Sequence, residues 1–66
     1  MEIKVNGDIR QTVEGMTITQ LLKELAIENR NLAVEYNGDF VEEDAFGATT
    51  LKAGDTLEIV RFVGGG

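Results

Sequence analysis

The sequence runs to 66 residues with 12 acidic and 6 basic side chains, a net charge of −6, and no cysteine or histidine. A chain this short has room for one domain, and folding buries only about 60% of the surface its unfolded form exposes. Without thiol or imidazole it has no disulfide framework, no zinc or redox site of the usual ligand types, and no histidine general base.

The six basic residues are scattered singly. A phosphate backbone is bound through many lysine and arginine contacts, so nucleic acid is not an expected partner. Acidity favours solubility and steering toward a basic protein surface. No stretch approaches the ~20 apolar residues of a membrane span. Met1-Glu2-Ile3-Lys4 runs straight into a strand pattern with no apolar signal region, so a cytoplasmic location is expected. A domain this size has little room for a cleft that raises a carboxylate pKa by burial. The chain is not expected to be an enzyme or to bind a cofactor.

Ile3 and Val5 alternate with Glu2 and Lys4, the pattern of a half-buried strand. Asn6-Gly7 follows, a strong hairpin signal because both residues tolerate positive φ. Ile9, Gln11 and Val13 continue a weaker alternation as the second strand. After Gly15 the period changes. Ile18, Leu21, Leu22 and Leu25 fall on one face of a helix. Thr17 and Gln20 have capping-box spacing at its start, and Met16 is placed to staple against Leu21. The helix is expected to fade over residues 26–29.

Leu32, Val34 and Tyr36 alternate with Ala33 and Glu35 as a third strand, turned back by Asn37-Gly38 into a short return at Phe40-Val41. Glu42, Glu43 and Asp44 read as an acidic solvated turn rather than a cation site. Phe46 and Leu51 are expected at the core edge, and Ala53-Gly54-Asp55 as a turn. Residues 57–63 form the longest β-branched and apolar run, and Gly64, Gly65 and Gly66 follow it.

The order β-β-α-β-(β)-β points to an α+β protein of the β-grasp (ubiquitin-like) fold. Its mixed sheet would have four to five strands, with one helix packed across one face and the first and last strands parallel in the middle. Residues 1–63 form the expected domain, and 64–66 a flexible glycine tail. In the last strand Leu57 and Ile59 share the core face. Val60 and Phe62 share the other face with Glu58, an apolar strip that suits partner docking, although isolated exposed apolar residues are also ordinary. Arg61 reads either as a docking charge or as a solvated arginine.

Along nearly its whole length the chain resembles the ThiS family of sulfur carriers. The likeness rests on Val5-Asn6-Gly7, Thr17-Ile18 with Leu21-Leu22, Ala33-Val34 with Asn37-Gly38, Leu51 with Gly54-Asp55, the run Leu57-Glu58-Ile59-Val60, and the ending Val63-Gly64-Gly65-Gly66. Glu42-Glu43 and Phe46 depart from the residues common in that family, away from the tail. The resemblance implies that a ThiF-like enzyme adenylates the Gly66 carboxylate with ATP. Sulfur then displaces AMP to leave a thiocarboxylate, which serves thiazole synthase (ThiG) in thiamine biosynthesis. The free carrier is expected to be a monomer.

The chemistry of such a tail stands on its own logic. A carboxylate resists sulfur nucleophiles until one oxygen becomes part of a good leaving group, so another protein's active site must reach the last residue. Gly64 and Gly65 carry no side chains to obstruct a narrow channel, and three residues span at most about 10 Å. Terminal glycines are also what an inert tail looks like. Carriers on the same fold that serve other acceptors, MoaD-like or CysO-like, are the nearest alternatives. A ubiquitin-like interaction module whose tail does no chemistry is the alternative from another class.

Overall fold

The computed structural model describes residues 1–62. Val63 and the expected tail of Gly64, Gly65 and Gly66 lie outside the described residues. Five strands, β1 (Glu2–Val5), β2 (Asp8–Gln11), β3 (Leu32–Tyr36), β4 (Asp39–Val41) and β5 (Thr56–Arg61), form one sheet in the order β2-β1-β5-β3-β4. The helix α1 (Ile18–Glu24) supplies Ile18, Leu21 and Leu22 to the core beneath the sheet. This is the β-grasp arrangement, with β1 and β5 parallel at the centre through Lys4 opposite Thr56 and Val5 opposite Leu57.

Both Asn-Gly pairs form two-residue hairpin loops. Asn6 and Gly7 adopt φ of 49° and 86°, and Asn37 and Gly38 adopt 51° and 88°. Positive φ at both central positions matches the right-handed twist of the flanking strands. The first turn sets Val5 opposite Asp8 and Lys4 opposite Ile9. Register then decides which face each side chain takes. Ile9 shares the outer face with Lys4, while Arg10, opposite Ile3, faces inward. The second strand therefore shows its isoleucine to water, and it ends at Gln11, short of Val13.

The capping box at Thr17 and Gln20 is formed: Thr17 Oγ1 accepts the Gln20 N–H, and Gln20 Oε1 accepts the Thr17 N–H. The loop over residues 46–49 takes up two more first-turn donors, with the Ile18 N–H on the Thr49 carbonyl and the Thr19 N–H on that of Phe46. Four orphan donors at a helix start need such partners. Phe46 is 1% exposed and Leu51 2%, so both belong to the core rather than its edge. The helix start is stitched to this loop, which draws Phe46 inward. Removing a phenyl ring from such a site costs about 3–5 kcal/mol.

The helix stops at Glu24 with Leu25 as its C-cap, earlier than the fading expected over residues 26–29. Ala26 turns left-handed at φ 58°. Its N–H reaches the Lys23 carbonyl, and the Ile27 N–H reaches that of Leu22. These two bonds are the Schellman termination, which glycine usually occupies. A single 3₁₀ turn, Glu43–Ala45, carries exposed Glu42, Glu43 and Asp44. Among the described residues no helix is long and apolar enough to cross a membrane.

Candidate functional site at the end of the central strand

Beyond Thr56 and Leu57, β5 outruns β1. After Val5 the first strand turns away, and the Asn6 carboxamide takes over its place in the ladder. Asn6 Oδ1 accepts the Ile59 N–H at 2.7 Å, and Asn6 Nδ2 donates to the Ile59 carbonyl at 3.2 Å. On the opposite flank the pairing with β3 runs to Ala33 opposite Val60 and Leu32 opposite Arg61. One further bond, from the Phe62 N–H to the Asn31 carbonyl at 2.7 Å, carries it past the strand end. Among the described residues, Phe62 thus continues the line of a central strand.

Register places the side chains of this end on two faces. Glu58 lies opposite Glu35 and Val60 opposite Ala33, on the face away from the helix. Val60 is 53% exposed, and Phe62, two residues on, is 57% exposed. Phe40 of β4, opposite Glu35 and 64% exposed, adds a further apolar side chain to this outer face. The result is an apolar set interleaved with carboxylates, which suits a partner surface with apolar and basic groups.

Arg61 alternates to the other face. Its guanidinium donates to the carbonyls of Arg30 at 3.3 Å and Glu28 at 3.4 Å. Val60, Arg61 and Phe62 therefore come together in sequence but not on one surface. The anticipated tail residues Gly64, Gly65 and Gly66 lie outside the described residues. Phe40 and the carbonyls of loop 28–31 escaped the sequence reading. In the sequence Phe40 reads only as part of a short return strand, and backbone carbonyls carry no side-chain signature.

Strongly shifted acid–base behaviour occurs at the far end of β5, about 20 Å away at ~3.3 Å per residue. Asp55 is 5% exposed. Its Oδ2 accepts from Tyr36 Oη at 2.6 Å and from the Lys52 N–H at 2.6 Å, and its Oδ1 accepts from Asn37 Nδ2 at 3.1 Å. Burial alone would raise the Asp55 pKa, but the hydrogen bonds outweigh it and hold the carboxyl below its ordinary value. The same bond, with burial and the carboxylate's charge, pushes the Tyr36 phenol up to about 12. Shifted pKa values often mark active sites. Here every partner is a turn or strand residue, and the pair ties the turn before β5 to β3.

A groove of about 290 Å³ opens on the helix side near Ile59, between the first hairpin and Leu25 and Ile27. Its Arg10 is already paired with Glu24 at 3.1 Å. Among the described residues no group of three or more acidic side chains is arranged to hold a metal ion. The site therefore offers a held strand end and an apolar outer face.

Residues 3–66 match the ThiS family model. The chain belongs to the ThiS family. It is 34% identical over 65 residues to the sulfur carrier protein ThiS of Bacillus subtilis, covering 97% of this chain and 98% of that protein. The crystal structure of the thiamine biosynthesis protein ThiS from Geobacter metallireducens superposes with a TM-score of 0.86 at 39% identity, covering both chains fully. The whole of this ThiS-family chain is also 39% identical to part of a thiazole synthase from Paramagnetospirillum magneticum. There, as in the thiazole synthase of Magnetococcus marinus, it spans 20% of the relative's length.

Proposed function

We propose that this chain is a sulfur carrier for thiazole formation in thiamine biosynthesis, with the Gly66 carboxylate as its working group. The observation that carries the reading is the end-to-end likeness to the Bacillus subtilis carrier, 98% of whose length is covered. In the proposed cycle a carboxylate oxygen of Gly66 attacks the α-phosphorus of ATP on a ThiF-like enzyme, and pyrophosphate leaves. Hydrosulfide, the sulfide-level sulfur source, then attacks the acyl carbon and expels AMP, and loss of its proton leaves a thiocarboxylate. Gly64 and Gly65 thread the enzyme's channel, while Val60 and Phe62 dock the outer face.

In this reading the carrier is a co-substrate. Partners supply the catalytic groups and the ATP site, and the protein works in the cytoplasm as a monomer. Thiazole synthase is the proposed acceptor. Relatives of that name contain a segment like this chain within a polypeptide five times as long. Joining carrier and acceptor raises their effective concentration without any new contact.

The test is intact mass spectrometry after incubation with ATP, a ThiF-like enzyme and a sulfur source. One oxygen-for-sulfur exchange is expected, lost on deletion of Gly65 and Gly66 with folding unchanged. Because the chain has no cysteine, a thiocarboxylate would be its sole strong sulfur nucleophile, and one alkylation would report it. An unchanged mass beside a partner active on another carrier would refute the reading.

A further inference from the structure

We propose that loop 28–31 clamps the root of the C-terminal segment and that Arg61 is a positioning residue acting through it. The inference rests on the reading of Gly66 as the group to be loaded. Two consecutive residues, Arg61 and Phe62, send three N–H donors into three carbonyls of one short loop. Arg61 Nη2 reaches Glu28, Arg61 Nη1 reaches Arg30, and the Phe62 N–H reaches Asn31.

The loop is built to hold those carbonyls in place. It begins at the Schellman turn, with Ile27 packed against the core. The Arg30 N–H bonds the Glu28 carbonyl at 2.8 Å, and the two side chains pair at 3.1 Å. Asn31 leaves the loop left-handed at φ 57°, a conformation that asparagine tolerates better than most residues. On the β1 flank, Asn6 is the last partner of β5 among the described residues. From Val60 onward the strand is held on the β3 side, and loop 28–31 closes that side.

Strand ends held on one side fray readily. A rigid fork with two separate donors suits two diverging carbonyls, whereas lysine offers a single flexible ammonium. The guanidinium bonds are long and solvent-exposed, so each is weak, while the Phe62 bond is short. Together they fix where the segment after Phe62 starts relative to the face bearing Val60 and Phe62. A partner gripping that face would receive the chain end at a set offset, and such positioning contributes directly to rate. Arg61, so engaged, serves the tail's geometry rather than a partner's charge.

The experiment uses the full chain with Arg61→Ala and Arg61→Lys, and reads two quantities. The first is amide hydrogen exchange at Phe62 by NMR. The second is steady-state kinetics of loading by the ThiF-like enzyme. Arg61→Ala should speed Phe62 exchange and lower kcat by about two- to five-fold each, the range of one modest hydrogen bond. KM should stay unchanged, and Arg61→Lys should fall between. A raised KM with unaltered Phe62 exchange would make Arg61 a docking charge and overturn the proposal, as would no change in either quantity. Failure of the wild-type chain to load would sink the sulfur-carrier reading, while the exchange measurement would still decide the clamp.

Discussion

The carboxamide of Asn6 meets the backbone of Ile59 at two points, accepting its N–H at 2.7 Å and donating to its carbonyl at 3.2 Å. It acts as one extra residue of β1 at the place where β1 has already turned. Asn37 does related work at the other end of β5, where its Oδ1 accepts the Thr56 N–H at 2.8 Å. Each hairpin turn thus clasps the central strand, one from each flank. The asparagines serve both as turn residues and as strand partners.

Substituting Asn6→Gly separates these two duties. Glycine keeps the left-handed conformation without strain and removes the amide, leaving the Ile59 backbone groups to water. The expected loss is about 1–2 kcal/mol of unfolding free energy, from two side-chain to backbone bonds. Chemical denaturation should show a lower midpoint with an unchanged slope, and the Ile59 amide should exchange faster. Wild-type stability in this variant would mean that the clasp contributes nothing.

Ala26 carries the opposite error, an ordinary residue where glycine belongs. Left-handed geometry costs a non-glycine residue roughly 1–2 kcal/mol, and glycine's greater unfolded-state freedom offsets about half of that. Ala26→Gly should therefore raise stability by about 0.5–1 kcal/mol, measurable as a higher melting temperature. A decrease would show that the Schellman bonds tolerate alanine at no cost.

These two positions also mark where the chain was readable. Local chemistry announced both hairpins, the capping box and the buried helix face, because each depends on a few neighbouring residues. The helix end was obscure because Ala26 lacks the glycine signal. Phe46 looked peripheral because its burial depends on bonds between a distant loop and the helix start. At the site, the outward placement of Val60 and Phe62 followed from strand alternation. The engagement of Arg61 did not, since it depends on the path of loop 28–31, which the left-handed residues Ala26 and Asn31 bound.

The Tyr36–Asp55 bond makes a clean spectroscopic prediction, because Tyr36 is the chain's one tyrosine. Its phenol should ionise near pH 12 in the folded protein and near 10 when unfolded. A raised folded pKa means this contribution to stability is whole below pH 10 and is lost as pH rises through about 12. Asp55 works in the other direction. Its folded pKa is lowered from 3.8, so its contribution is present above that value and lost as pH falls through the lower folded one. Ultraviolet titration of Asp55→Asn should return the tyrosine midpoint toward 10. A midpoint still near 12 would assign the shift to burial rather than to the carboxylate.

The outer face is tested by charge. Val60→Glu and Phe62→Glu place a carboxylate where the side chain is more than half exposed, so stability should move by no more than about 0.5 kcal/mol. At Val60 the new charge also sits one step along the same face from the Glu35–Glu58 pair, and at either position it replaces an apolar contact with a charge that an apolar partner pocket cannot solvate. If this face docks the activating enzyme, buried apolar anchors of its kind are worth about 1 kcal/mol or more each. Each substitution should then raise KM for loading at least about five-fold, with kcat far less affected and melting temperature nearly unchanged. Glu58→Gln serves as the control for general charge effects, since it removes a carboxylate without touching the apolar pair. Unchanged KM in both glutamate variants would move the docking surface elsewhere on the molecule, leaving Val60 and Phe62 as ordinary exposed strand residues.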